Sequence, residues 1–106
     1  MAKYLLRASY TSEGAKGLLK DGGSKRASVV EAAVKAAGGK LEAFYFAFGE
    51  DDVYIIADLP DHQTVTAFAL TTSASGAVKV ATTVLMTPQD VDAAVKKSVS
   101  YTPPGR

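Results

Sequence analysis

The chain opens with an alternation of apolar and polar residues that is typical of a β-strand. Residues 3–10 carry this alternation, and on its more apolar side lie Tyr4, Leu6, Ala8 and Tyr10. Thr11 and Ser12 then offer a helix N-cap, and Gly22–Gly23 interrupts the short helix that follows. A longer helix is predicted over about 24–37, because four apolar residues recur at helical spacing: Val30, Ala33, Val34 and Ala37.

Two further strands are predicted at about 40–48 and 52–59. The link Gly49–Asp51 is short, so the strands should form an antiparallel hairpin. If Phe48 pairs near Val53, one strongly apolar face should lie under the helices: Phe44, Phe46, Phe48, Val53, Ile55, Ala57 and Leu59. The opposite face then carries Ala43, Tyr45, Ala47, Tyr54, Ile56 and Asp58. A one-residue change of register would exchange the two sets.

The rest of the chain predicts a helix, a strand and a final helix. Asp61 is a good N-cap for a helix over about 62–74, whose inner side should carry Val65, Phe68 and Ala69. Residues 77–86 are rich in Val and Thr and predict a strand. Thr87–Asp90 resembles a capping box, and the helix that it opens should turn three apolar residues inward: Val91, Ala94 and Val95.

This order of elements predicts an α+β fold. The order strand-helix-strand-strand-helix-strand is that of a split, ferredoxin-like βαββαβ unit, with a four-stranded antiparallel sheet and helices on one face. The short helix after the first strand and the extra C-terminal helix are additions to this plan. A length of 106 residues fits a single domain, 1–106, and residues 101–106 read as a flexible tail.

The second face of the predicted sheet is too apolar for a surface in water and too polar for a sealed core. The first strand should add Leu5, Arg7 and Ser9 to it, and the last strand Lys79, Ala81, Thr83 and Leu85. One interpretation is a homo-oligomer interface in which two sheets stack. The other is a small-molecule pocket between the sheets, and both can hold together. The candidate residues for this pocket or interface are Arg7, Tyr45, Tyr54, Asp58, Lys79 and Thr83.

Composition narrows the chemistry of that face. The absence of cysteine excludes disulfides and thiolate sites, and a net charge of +1 disfavours a general nucleic-acid binder. His62 is the only histidine, and a first-turn position predicts a surface residue rather than a metal ligand. The third strand also lacks the aromatic motif of RNA-recognition domains. We therefore expect no metal, cofactor, nucleic acid or membrane partner, and a cytoplasmic location.

Four segments give the chain a family resemblance: Tyr4–Gly17, Gly38–Gly49, Asp58–Pro60 and Ser75–Gly76. In these segments the chain resembles the GYD-domain family of small bacterial and archaeal proteins. The resemblance implies a dimeric α+β barrel, in which two ferredoxin-like sheets pair across their open faces, and it implies little about activity. Asp51 stands where the family often has tyrosine, whereas Gly49 and Asp52 match as turn-forming residues.

Three functions remain open at this stage. The first is a homo-oligomeric binding or structural module, at least a dimer. The second is a cofactor-free enzyme in which Arg7 orients an anion and Tyr45, Tyr54 or Asp58 handles protons, although no residue is assigned as catalytic. The third is a small-ligand-sensing regulatory domain.

Overall fold

Eight elements follow one another in the computed structural model, which describes residues 1–106. They are β1 (Ala2–Tyr10), α1 (Ser12–Asp21), α2 (Gly23–Ala36), β2 (Lys40–Phe46), β3 (Val53–Leu59), α3 (His62–Ala74), β4 (Val78–Leu85) and α4 (Pro88–Val95). The predicted elements are all present, and their bounds differ from the predicted ones by a few residues at most. Asp61 caps α3 as expected, because its carboxylate accepts from the Thr64 N–H at 2.8 Å. The hydrogen bond from the Thr64 hydroxyl, followed by this one from the backbone, lowers the pKa of Asp61.

The four strands form one antiparallel sheet in the order β2-β3-β1-β4. β1 lies in the middle, where Leu6 pairs with Ile55 of β3 on one side and with Thr82 of β4 on the other. This topology confirms the α+β class and is compatible with the ferredoxin-like plan. Only the pairing of two such sheets, which needs a second chain, stays a prediction.

One face of the sheet supplies most of the hydrophobic core. β1 contributes Tyr4, Leu6 and Ala8, and β3 contributes Val53, Ile55, Ala57 and Leu59. Helix α2 closes over them with Val30 and Val34, and α3 with Val65. Each fully buried aliphatic side chain stabilises the fold by about 1.5–3 kcal/mol. The predicted inner face is therefore correct for β1 and β3.

The other side of the sheet, called the open face below, is formed by the alternate residues of the four strands. Its members are Lys3, Leu5, Arg7, Ser9, Lys40, Ala43, Tyr45, Tyr54, Ile56, Asp58, Lys79, Ala81, Thr83 and Leu85. β2 contains a bulge between Leu41 and Ala43, so Glu42 has no partner on β3. The bulge does not change which face Ala43 and Tyr45 occupy.

The turn of the hairpin differs from the prediction. β2 ends at Phe46, which pairs with Val53, so the link spans residues 47–52 and includes Ala47 and Phe48. Phe48 has a φ of 56° and is 63% exposed, with its ring stacked on Phe46 at 5.7 Å between centroids. The prediction that Phe48 lies under the helices was wrong. Ala47, predicted on the opposite face, likewise lies in the link. The shift is two residues, and because side chains alternate with period two, the other residues keep their predicted faces.

Helix α4 also departs from the prediction. The capping box forms, since the Asp90 N–H donates to the Thr87 hydroxyl at 3.1 Å and the Thr87 N–H to the Asp90 carboxylate at 2.9 Å. However, α4 has no buried residue, and Val95 is 75% exposed. Val91, Ala94 and Val95 therefore do not turn inward. The reason is that α4 shares no substantial contact with any other helix or strand.

Gly14 marks a close approach between α1 and the segment before β4. The Thr11 N–H donates to the Ala77 carbonyl at 3.0 Å, and the Thr11 hydroxyl to the Gly76 carbonyl at 2.7 Å, which holds the start of α1 against this segment. A Cβ at Gly14 would collide with the Ala77 carbonyl oxygen and would lie 2.8 Å from the Tyr10 ring. Both obstacles belong to well-fixed parts of the fold, so the site cannot relax easily.

Gly14→Ala should therefore lower the free energy of unfolding by about 1–3 kcal/mol, the usual cost of overpacking. Gly17→Ala is the matched control, because Gly17 lies in the same helix with nothing within 4 Å of an added Cβ. This control should gain about 0.5–1 kcal/mol from helix propensity. Urea unfolding followed by circular dichroism measures both, and equal stabilities of the two variants would contradict the role of Gly14.

Candidate functional site

Three of the six candidate residues form one row across the open face. Tyr45 pairs with Tyr54, and Tyr54 pairs with Arg7, so the three side chains are lateral neighbours. Lys79 lies opposite Ser9, and Thr83 lies opposite Leu5. Asp58 is four residues along β3 from Tyr54, a separation of roughly 13 Å at the usual rise of a strand. The structure thus brings Arg7, Tyr45 and Tyr54 together and places Asp58, Lys79 and Thr83 in other rows.

Arg7 is paired with a residue that the sequence analysis did not connect to it. Its Nη1 lies 3.3 Å from a carboxylate oxygen of Asp51, and the Ser9 hydroxyl donates to the same carboxylate at 3.3 Å. The hairpin link folds back over β1, since the Asp52 N–H donates to the Ala8 carbonyl at 2.8 Å. Asp51, at the position where the family resemblance leads us to expect tyrosine, thus neutralises Arg7. In the sequence, the only sign of this ion pair is the run of acidic residues in the hairpin link. That Asp51 pairs with Arg7 depends on how the link folds.

A second group of charges lies at the opposite end of the open face. Lys3 Nζ is 2.7 Å from Glu42 and 3.1 Å from Asp58. The hydrogen bond to Glu42, followed by that to Asp58, raises the pKa of Lys3. Asp58 is therefore held in an ion pair. Between the two charged ends lies an uncharged row of small and apolar residues, formed by Ala43, Ile56, Leu5 and Thr83.

His62 has a structural contact that its sequence position did not reveal. Its Nδ1 and the hydroxyl of Tyr4 are 2.6 Å apart, and the two rings meet edge to face at 5.8 Å. Tyr4 is fully buried, so this exposed histidine provides the hydrogen-bond partner for a core hydroxyl. His62 therefore connects the first turn of α3 to the core.

The helix side of the sheet carries a cavity that the sequence analysis missed. α2 packs mainly against β2 and α3 mainly against β4, and between them lies a groove of about 400 Å³, called the interhelix groove below. Leu6 and Ile55 form part of its floor, Ala33 lies on the α2 wall, and Ala67 lies on the α3 wall. None of the six candidates lines it. In the sequence, the groove is indicated only by small residues on the two helices. These residues predict a groove only when it is known that the two helices face each other.

Arg26 and Tyr10 give the interhelix groove a polar end. Arg26 is the only charged residue among its 18 lining residues, of which 14 are hydrophobic. Burial raises the pKa of the Tyr10 hydroxyl, while the nearby charge of Arg26 opposes that effect. Tyr10 is therefore a neutral hydroxyl beside a cation at neutral pH.

Comparison with known proteins places this architecture in a family. A sequence model described as the GYD domain matches residues 4–95. The chain belongs to the GYD-domain family. The match extends from β1 to the end of α4, so both the open face and the interhelix groove are parts of the GYD domain. Searches of curated proteins and of solved structures return no match.

No group of three or more His, Asp or Glu side chains is arranged so that it could hold a metal ion. No helix combines the length and the apolar character needed to cross a membrane.

The contact between Tyr4 and His62 can be measured with a double-mutant cycle. Tyr4→Phe should cost about 1 kcal/mol of stability, and His62→Ala about 1–3 kcal/mol, because the latter leaves the buried hydroxyl without its partner. The coupling energy in the double variant should be about 0.5–1.5 kcal/mol. Gln63→Ala, at the exposed neighbouring position, should change stability by less than about 0.5 kcal/mol. Strictly additive losses for Tyr4 and His62 would contradict the contact.

Proposed function

We propose that this GYD domain acts as a homo-oligomeric binding or structural module, at least a dimer, in which the open faces of two copies pack together. The observation that carries the proposal is the uncharged middle of the open face. Leu5 and Ile56 lie there beside Tyr45, which is 70% exposed. A contiguous apolar and aromatic surface of this kind is typical of an interface core.

The charges around this surface also favour the packing of two copies through their open faces. The open face and its rim carry four cations, Lys3, Arg7, Lys40 and Lys79, and three carboxylates, Glu42, Asp51 and Asp58, so their charges balance to within one unit. Lys3 and Arg7 already form ion pairs at opposite ends of the face, so its centre can be covered without leaving a bare charge. A face with balanced charge does not repel a second copy of itself.

The C-terminal segment gives independent support for association. Its apolar residues are exposed, including Val95 and Val99, the latter at 83%. The Cα radius of gyration is 17.0 Å, whereas a compact domain of this length has about 13 Å. A helix of 8 residues such as α4 is marginal without packing partners, and a second copy would supply them.

The enzyme alternative is less well supported by the geometry. It requires Arg7 to bind an anion, whereas the Arg7 guanidinium already pairs with Asp51. Of the three residues considered for proton transfer, Asp58 pairs with Lys3 at the other end of the face, and only Tyr45 and Tyr54 lie beside Arg7. Both pairings favour a structural part for these residues in an interface.

The proposal predicts the mass of the protein in solution. Light scattering should give at least twice the chain mass of 11.0 kDa. Ala43→Glu, which puts a charge in the middle of the open face, should reduce the mass to that of one chain, because an unpaired buried charge costs several kcal/mol. Ala32→Glu, on the exposed surface of α2, is the matched control and should leave the mass unchanged.

Circular dichroism should show that the Ala43→Glu variant keeps its secondary structure. A native mass equal to one chain would overturn the proposal. So would an Ala43→Glu variant that is folded and still assembled.

A further inference from the structure

We propose that the interhelix groove binds one amphipathic monocarboxylate per chain, with its apolar body against the sheet and its carboxylate on Arg26. The groove lies on the helix side of the sheet, away from the open face. The inference therefore does not depend on the proposed pairing of two copies.

The size and lining of the groove match an apolar ligand. Its volume of about 400 Å³ falls within the range of roughly 300–1,000 Å³ that is usual for small-molecule sites. Leu6 and Ile55 on the floor are core residues of the sheet, and Phe68 forms part of the α3 wall. An apolar body laid along the groove would remove this surface from water, which favours binding.

Arg26 is the group that selects the ligand's charge. Two cations of the open face are already paired: Lys3 with Glu42 and Asp58, and Arg7 with Asp51. Arg26 forms no salt bridge, and no carboxylate oxygen lies within 4.0 Å of it. A half-buried guanidinium that lies beside the neutral Tyr10 hydroxyl and an apolar cavity, and has no carboxylate partner, fits a carboxylate ligand, which it can bind through two parallel hydrogen bonds.

The groups around Arg26 leave this position open for the ligand. Asp52 is close enough for its charge to act on Tyr10, but its carboxylate accepts from the Tyr10 N–H at 2.8 Å and does not pair with Arg26. The Thr72 hydroxyl is used within α3, where it donates to the Phe68 carbonyl at 2.9 Å. The neutral Tyr10 hydroxyl adds a second hydrogen-bonding group at this end.

The single cation also sets the charge of the ligand. A dianion or a zwitterion would bring a second charge that the otherwise uncharged lining cannot match, and burying it would be costly. A neutral molecule would leave Arg26 unpaired. One negative charge on an apolar body satisfies both constraints.

Titration calorimetry of the full chain with decanoate and with decanol tests the proposal, because these probes share a chain and differ in the headgroup. Decanoate should bind with one molecule per chain, at least about tenfold more tightly than decanol. Arg26→Gln should remove this preference. Lys25→Gln is the matched control, because Lys25 precedes Arg26 in the chain, pairs with Asp21 and does not line the groove. This variant should still bind decanoate more tightly than decanol.

A second pair of variants locates the bound molecule. Ala33→Phe should abolish decanoate binding, because Ala33 lines the groove and a phenyl group would fill it. Ala32→Phe, at the adjacent exposed position that does not line the groove, should bind as the native chain does. Circular dichroism should show both variants folded.

Several outcomes would overturn the proposal. They are no decanoate binding by the native chain, equal binding of decanoate and decanol, or undiminished binding by a folded Ala33→Phe variant. The mass of each sample, measured by light scattering, separates this result from the proposed assembly. A monomeric chain that binds decanoate would support the ligand site in the groove and contradict the proposed assembly. An assembled chain that does not bind decanoate would support the assembly and contradict the ligand site.

Discussion

The packing of β1 is the constraint on which the rest of this structure depends. β1 is hydrogen-bonded to β3 on one side and β4 on the other, and it buries Tyr4, Leu6 and Ala8 beneath the helices. Because side chains alternate along a strand, burying these three commits Leu5, Arg7 and Ser9 to the open face. The registers of the neighbouring strands then fix which of their residues face the helices and which lie on the open face. Every surface discussed above, on either side of the sheet, follows from this one alternation.

The two faces of the sheet are both incompletely covered within one chain. On the helix side, small residues such as Ala33 and Ala67 leave the space between α2 and α3 unfilled, and the apolar floor between the helices stays accessible. On the open face, the charged residues pair at the ends and leave the middle uncharged. Few residues of the chain are fully buried for its length, so further burial by a ligand or another copy has much to add to its stability. The two proposals assign these surfaces to different occupants.

The segments that carry the family resemblance have physical reasons in this fold. Gly14 lets α1 approach the residue before β4, and a Cβ at Gly39 would collide with the Asp58 carbonyl oxygen and lie 2.7 Å from Leu59. These glycines are explained by packing and need no catalytic role. Asp51, the departure from the family pattern, has its own explanation in the ion pair with Arg7. The matched segments thus describe a scaffold, which agrees with a family whose resemblance implies little about chemistry.

The sequence by itself determined the elements, their order, the antiparallel sheet and the faces of β1 and β3, because apolar periodicity, caps and glycines act over a few residues. Only the tertiary structure decided where Phe48 lies, which carboxylates pair with Arg7 and Lys3, and that no residue of α4 is buried. It also decided that Ala33 and Ala67 line one groove. Each of these depends on contacts between residues distant in the chain, whose geometry is set by loop length, strand register and helix separation rather than by local pattern.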